Sequence, residues 1–176
     1  GKTNIITKYK YNTFEDSHLT TIGIDFVSKI LNIRNKTIRL NIWDTAGQEK
    51  YRIIANSYYR NSNAVCIVYD ITNKISYYNI KRWIEDVKKN CSPSVDIYII
   101  GSKLDVQHDR EINKNDVEKY CEENNFKYFE VSALNNYNIH NLFHDIAFKL
   151  MKKYEIEPKK IVKVKRKNYF DCCKIS

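Results

Sequence analysis

The sequence predicts one α/β domain built on a largely parallel sheet, and two observations carry that reading. Residues 64–70 (AVCIVYD) and 97–101 (IYIIG) are short, continuous apolar runs, which is how parallel strands look when both faces are covered. Helical stripes fall between and after them. Ile80, Trp83, Ile84 and Val87 form one; Ile139, Leu142, Phe143, Ile146, Ala147 and Leu150 form another. Strands alternating with amphipathic helices stack as helix layers on a parallel sheet.

In chain order, residues 24–32 and 37–43 are strand-like, with Ile38, Leu40 and Ile42 on one face of the second. Arg34-Asn35-Lys36 between them is the expected hairpin turn. The run at 64–70, the stripe at 80–87 and the run at 97–101 follow, then a shorter strand at 127–131 and the long stripe from 139. Beyond about residue 155 the periodicity stops, so the expected division is a domain at 1–155 and a flexible tail at 156–176. No internal repeat is present.

Composition narrows the classes. With 176 residues, 43% of them apolar, the chain can bury a core without disulfide or metal staples. Only four Gly and two Pro exclude collagen-like and low-complexity chains. Five cysteines (Cys66, Cys91, Cys121, Cys172, Cys173) at irregular spacing argue against a secreted disulfide framework. Cys66, inside an apolar run, is expected to be a buried thiol. No apolar stretch approaches the roughly 20 residues that span a bilayer, and no signal peptide is visible. A reduced, cytosolic setting is expected. The net charge of +9 is unevenly placed. Residues 159–176 hold seven basic side chains against one acid, whereas the first 158 hold 23 against 20. The body is nearly neutral and the tail cationic, which fits an anionic membrane surface and not nucleic acid.

Chemistry concentrates in a few boxes. Trp43-Asp44-Thr45-Ala46-Gly47-Gln48-Glu49 directly follows a strand. An Asp there suits a magnesium-linked phosphate site, the Gly amide can meet a terminal phosphate, and Gln48 can orient a water. This heptapeptide resembles the DxxGQ motif of Ras-like small GTPases. Gly1-Lys2-Thr3 is similar to the end of the phosphate-binding loop GxxxxGK[ST], and Thr21 stands eighteen residues after Thr3. Ser102-Lys103-Leu104-Asp105 resembles the guanine-reading NKxD box, and Ser132-Ala133-Leu134 the SAK box.

The resemblance covers some 150 residues and implies a small G domain: a mostly parallel six-stranded sheet flanked by helices, with the first strand missing from this chain. It makes Thr3, Thr21 and Asp44 the magnesium ligands and places Lys2 on the β- and γ-phosphates. Gly1 belongs to the phosphate loop, Gly47 to the γ-phosphate, and Gln48 is the catalytic residue. Phe14 would lie edgewise on guanine. Asp105 would accept hydrogen bonds from the ring N–H and exocyclic amine, the Lys103 stem would cover the base, and the 132–134 backbone would meet the base carbonyl. GTP and GDP are the implied ligands.

Within that superfamily the chain resembles the Rab branch, through Ile22-Gly23-Ile24-Asp25-Phe26, Tyr51-Arg52, Ser57-Tyr58-Tyr59-Arg60 and Ile67-Val68-Tyr69-Asp70-Ile71-Thr72. Ile22, Phe26, Trp43 and Tyr58 are the implied effector surface. Cys172 and Cys173, after a run of lysines, resemble a Rab prenylation signal, and the last four residues fit a loose C-a-a-X box. The implied function is a GTP/GDP switch in vesicle trafficking, lipid-anchored on the cytoplasmic face of an intracellular membrane with a cytosolic pool. The implied partners are an exchange factor, a GTPase-activating protein, a prenyl-group chaperone and effectors. Hydrolysis is expected to be slow without an activator, since no arginine finger is evident in cis.

Three departures motivate a rival reading, a membrane-tethered scaffold with little nucleotide turnover. The chain starts at Gly1, part-way through the phosphate loop, and reads as a fragment. Ser102 stands where the family has Asn, an expected cost of about 1–3 kcal/mol in hydrogen bonds. Leu134 replaces the Lys of SAK, with a small expected effect because the backbone makes the contact.

Overall fold

The computed structural model describes residues 1–14, 24–45, 60–156 and 174–175. The strands 24–32 and 37–43 expected from sequence form an antiparallel hairpin, β1 (Ile24–Ile33) and β2 (Lys36–Thr45), in the register Phe26↔Trp43 and Leu31↔Ile38. The turn is tighter than expected: Arg34 and Asn35 alone make it, at φ 48° and 61°, and Lys36 already pairs with Ile33. Two consecutive positive-φ residues give the turn twist that matches right-twisted strands.

The apolar runs become β3 (Ala64–Asp70) and β4 (Asp96–Ser102), joined by β5 (Lys127–Glu130) in parallel. Their alternation divides the core between two faces. Ala64, Cys66, Tyr98 and Ile100 point to one, where α1 (Lys2–Tyr11) and α5 (Ile139–Ile156) cover them. Val65, Ile67, Tyr69, Ile97 and Ile99 point to the other, under α3 (Ile80–Asn90) and α4 (Lys114–Glu123). A one-turn helix, α2 (Lys74–Tyr78), precedes α3, capped by the Asn73 side chain accepting from Ser76 N–H. Every residue of the long stripe named from the sequence is buried on α5. Phe143 also stacks on Tyr9 of α1, ring centroids 4.0 Å apart. Truncating such a ring to Ala costs about 3–5 kcal/mol. Cys66 is buried, as expected, and Cys121 is too; burial pushes the Cys121 thiol up to about 12, which leaves it unreactive.

The sheet order is β1-β2-β6-β3-β4-β5. The sixth strand, β6 (Lys174–Ile175), comes from the far end of the chain. It pairs in parallel with both neighbours, Trp43↔Lys174 on one side and Val65↔Lys174 on the other. β2 through β5 therefore run in one direction and end at one edge. Among the described residues, no helix is long and apolar enough to cross a membrane.

Candidate functional site

That common edge is where an open α/β sheet places ligands, and the sequence-expected boxes meet there. At one side, Asp44 closes β2 beside the first turn of α1. Thr3 Oγ1 donates to Asp44 Oδ2 at 2.6 Å. Asp44 is 3% exposed, and its Oδ1 has no hydrogen-bond partner among the described residues. Burial raises the Asp44 carboxyl above its ordinary value, against the Thr3 hydrogen bond and the Lys2 charge. Lys2 is pulled down by the same desolvation, against the attraction of Asp44. Burial thus outweighs the partners that the described residues give these two charges. A divalent cation and an anionic phosphate are the chemistry that would complete them, so the residues present fit magnesium. Gly1 sits at the N-cap of α1, where backbone N–H groups favour an anion.

Gly1 also links this side to the next. A Cβ there would stand 3.1 Å from Ser102 Oγ and 3.4 Å from its Cβ, so glycine lets the start of α1 lie close against that side chain. Ser102 is buried at the end of β4, and its hydroxyl donates to the Tyr69 carbonyl at 2.7 Å. The short side chain is therefore spent on β3 while lying against Gly1. Lys103 adopts a left-handed backbone, φ 67°, and its ammonium pairs with Asp70 Oδ2 at 2.7 Å. Asp70 Oδ1 accepts from the Thr72 N–H and hydroxyl at 2.9 and 2.8 Å. Burial would raise Asp70, but the Lys103 and Thr72 hydrogen bonds outweigh it and hold the carboxyl low.

Asp105 follows in a 3₁₀ turn, Leu104–Asp109, and its Oδ1 accepts from Ser132 Oγ at 2.5 Å. Ser132 Oγ in turn accepts the Asn135 N–H at 3.0 Å, and Leu104 N–H reaches the Val131 carbonyl at 3.1 Å. The two expected base-reading boxes are thus stitched to each other. Ala133 is half-buried and Leu134 is 51% exposed. Phe14 lies half-buried just beyond the end of α1. On the hairpin, Phe26 and Trp43 face each other with ring centroids 4.7 Å apart, bringing together two of the expected effector aromatics. Thr21, Ile22, Gly47, Gln48, Tyr58, Cys172 and Cys173 lie outside the described residues.

A family model described as the Ras family matches residues 1–152. The chain belongs to the Ras family. It is also similar to the Ras-related protein Rab-1 of Theileria parva, 38% identical over 148 residues, covering 84% of this chain and 67% of that protein. This Ras-family chain is accordingly a Rab-like small GTPase, of a family that generally binds GTP and GDP with magnesium. Sequence reasoning gave no site role to Asp70, Arg110 or Glu130. For Asp70 a signal existed: an Asp closing an apolar strand with a hydroxyl residue two positions on makes a local side-chain turn.

Proposed function

We propose that this Rab-like GTPase is a GTP/GDP switch controlling vesicle traffic from a lipid-anchored position on an intracellular membrane. The observation that carries the reading is Asp44, buried against the Thr3 hydroxyl with one oxygen unpartnered among the described residues and Lys2 beside it. Thr3, Thr21 and Asp44 hold magnesium, which when bound neutralises phosphate charge. Lys2 contacts the β- and γ-phosphates. Asp105 accepts from the guanine ring N–H and amine, with Lys103 and the 132–134 backbone closing the base site; Phe14 lies at the ring edge.

In hydrolysis Gln48 orients a water whose oxygen attacks the γ-phosphorus. The bond from that phosphorus to the β–γ bridging oxygen breaks, and GDP and inorganic phosphate leave, the water proton ending on phosphate or solvent. While GTP is bound, Thr21 and Gly47 engage the γ-phosphate and order residues 14–24 and 45–60; hydrolysis releases them. Effectors read the ordered surface at Ile22, Phe26, Trp43 and Tyr58. An activating protein accelerates a slow intrinsic step, and an exchange factor reloads GTP. Prenyl groups on Cys172 and Cys173, hidden by a chaperone in the cytosolic pool, anchor the tail once Lys174–Ile175 gives up its place between β2 and β3, because two chains hold where one is marginal. Its lysines add roughly 1 kcal/mol each at an anionic leaflet.

The test is to purify the full-length protein, release its bound nucleotide and identify it, then titrate GTP with and without magnesium. Guanine nucleotide and magnesium-dependent binding are expected. A preparation with neither at micromolar GTP overturns the switch. Separately, Cys172→Ser with Cys173→Ser should shift the protein from the membrane fraction to the soluble one; retention on membranes overturns the anchor.

A further inference from the structure

Beneath the base-reading boxes runs a second layer of contacts, made by residues to which the sequence gave no site role. Tyr69 of β3, Gly101 of β4 and Glu130 of β5 stand in one row across the sheet. A Cβ at Gly101 would come within 3.0 Å of Tyr69 Oη and 3.2 Å of its Cζ. The glycine thus leaves a window through which the Tyr69 ring crosses β4. Its hydroxyl meets Tyr128 Oη at 3.0 Å, and Tyr128 donates to Glu130 Oε1 at 2.6 Å. Since Tyr128 gives its only proton to the carboxylate, Tyr69 is the donor to Tyr128, and both hydroxyls point charge-ward.

Glu130 is closed from the other side by Arg110, which donates through both terminal nitrogens at 2.6 and 2.9 Å. This two-pronged geometry is the strongest form of such a pair, and Glu130 is only 8% exposed. Burial opposes the Glu130 charge, yet the Arg110 and Tyr128 hydrogen bonds prevail and hold it ionised.

The connectivity is a ring. Arg110 caps the 3₁₀ turn Leu104–Asp109 that carries Asp105, and Glu130 lies two residues before Ser132, whose hydroxyl binds Asp105. Passing from Asp105 along the turn to Arg110, across to Glu130, along β5 to Ser132 and back to Asp105 closes a circuit with the base-reading carboxylate on its rim. Further ties tighten it: Asn138 Nδ2 donates to the Glu130 carbonyl at 3.0 Å, and Val131 N–H to the Gly101 carbonyl at 2.8 Å.

We propose that Glu130, Arg110 and Tyr128 are positioning residues for base discrimination, the ring fixing the direction in which the Asp105 carboxylate faces a purine's ring N–H and exocyclic amine. The inference rests on the guanine reading above. It separates this protein's selectivity into a contact, made by Asp105, and an alignment, made by residues that never touch the base.

The experiment compares dissociation constants for GDP and for inosine diphosphate, which keeps the ring N–H and lacks the exocyclic amine. Full-length wild-type protein, Glu130→Gln, Arg110→Lys and Tyr128→Phe are each measured with magnesium, alongside their Tm. Met151→Ala, in the separate small cluster that α5 makes with Ile33 and Ile38 of the hairpin and that holds no residue of the ring, supplies a protein destabilised without touching it. Glu130→Gln should weaken GDP about tenfold and inosine diphosphate less, narrowing the preference severalfold. Tyr128→Phe and Arg110→Lys should narrow it in the same direction, the latter showing that geometry and not charge alone matters. Met151→Ala should lower Tm and leave the preference at the wild-type ratio. Ring variants that lower Tm yet keep the wild-type ratio overturn the proposal. A wild type that does not prefer GDP overturns the guanine reading itself, a distinct result.

Discussion

The two halves of the proposed nucleotide site are prepared in opposite ways. On the base side every charge has a partner: Asp70 with Lys103 and Thr72, Asp105 with Ser132, Glu130 with Arg110 and Tyr128. Its carboxyls at Asp70 and Glu130 are held low. On the phosphate side, Asp44 is raised and Lys2 lowered, because burial outweighs the partners that the described residues supply. A pocket that selects a ligand by shape must be rigid before the ligand arrives. A pocket that gathers metal and phosphate gains affinity by leaving its charges wanting, since a ligand that binds only the folded form stabilises it.

The largest effect should come from removing the wanting group. Asp44→Ala should weaken magnesium-dependent GTP binding at least about 100-fold, the scale of metal-site losses. The nucleotide-free protein should keep or gain Tm. The sign follows from the raised carboxyl. A group shifted up in the folded state stabilises below its unfolded value, here 3.8, and that contribution is lost as pH rises through the folded value. At neutral pH the buried Asp44 charge is therefore a cost that Ala removes. A substantial fall in Tm without nucleotide would erase the contrast between the halves.

The base side should show the reverse sign and a smaller effect. Arg110→Ala should cost about 1–3 kcal/mol at pH 7 in urea unfolding. Glu130 is depressed in the folded state, so its contribution is present above its ordinary 4.5 and lost as pH falls through the lower folded value. The deficit of Arg110→Ala relative to wild type should therefore shrink between pH 5 and pH 3. A deficit constant across that window would mean packing, not charge, is what Arg110 contributes.

The smallest change sharpens the border between the halves. Ser102 lies against Gly1 and spends its hydroxyl on Tyr69. Ser102→Asn should restore a longer reach toward both base and phosphate loop, tightening GDP by up to about tenfold in a direct titration. Weaker binding would mean that the Tyr69 carbonyl contact matters more than the lost amide.

Much of this was legible in the sequence, for physical reasons that also explain the rest. β3 and β4 announce themselves because helices cover both faces and leave no polar alternation. α5 does so through six buried positions at helical spacing. α1 buries only Ile5, Ile6 and Tyr9 among lysines, too narrow a stripe to stand out alone. β6 is a Lys-Ile pair with no period at all. In the site, boxes contiguous in sequence could be matched residue by residue, and Thr3 meets Asp44 and Ser132 meets Asp105 across long separations. The Arg110–Glu130 clasp could not be seen, because a pair between the cap of a turn and a strand residue 20 positions on has no local pattern. The positive φ at Lys103 was equally hidden: the sequence there shows a lysine, not the glycine such a backbone favours.

That last position has a consequence for any attempt to stabilise this protein. A non-glycine residue in the left-handed region gives up roughly 1–2 kcal/mol, and a conservative engineer would write Lys103→Gly. The replacement relaxes the backbone and removes the ammonium that anchors Asp70. Strain of this kind marks a site where function has outranked durability. Thermostable variants of this GTPase are better sought in its helices than at this strained turn.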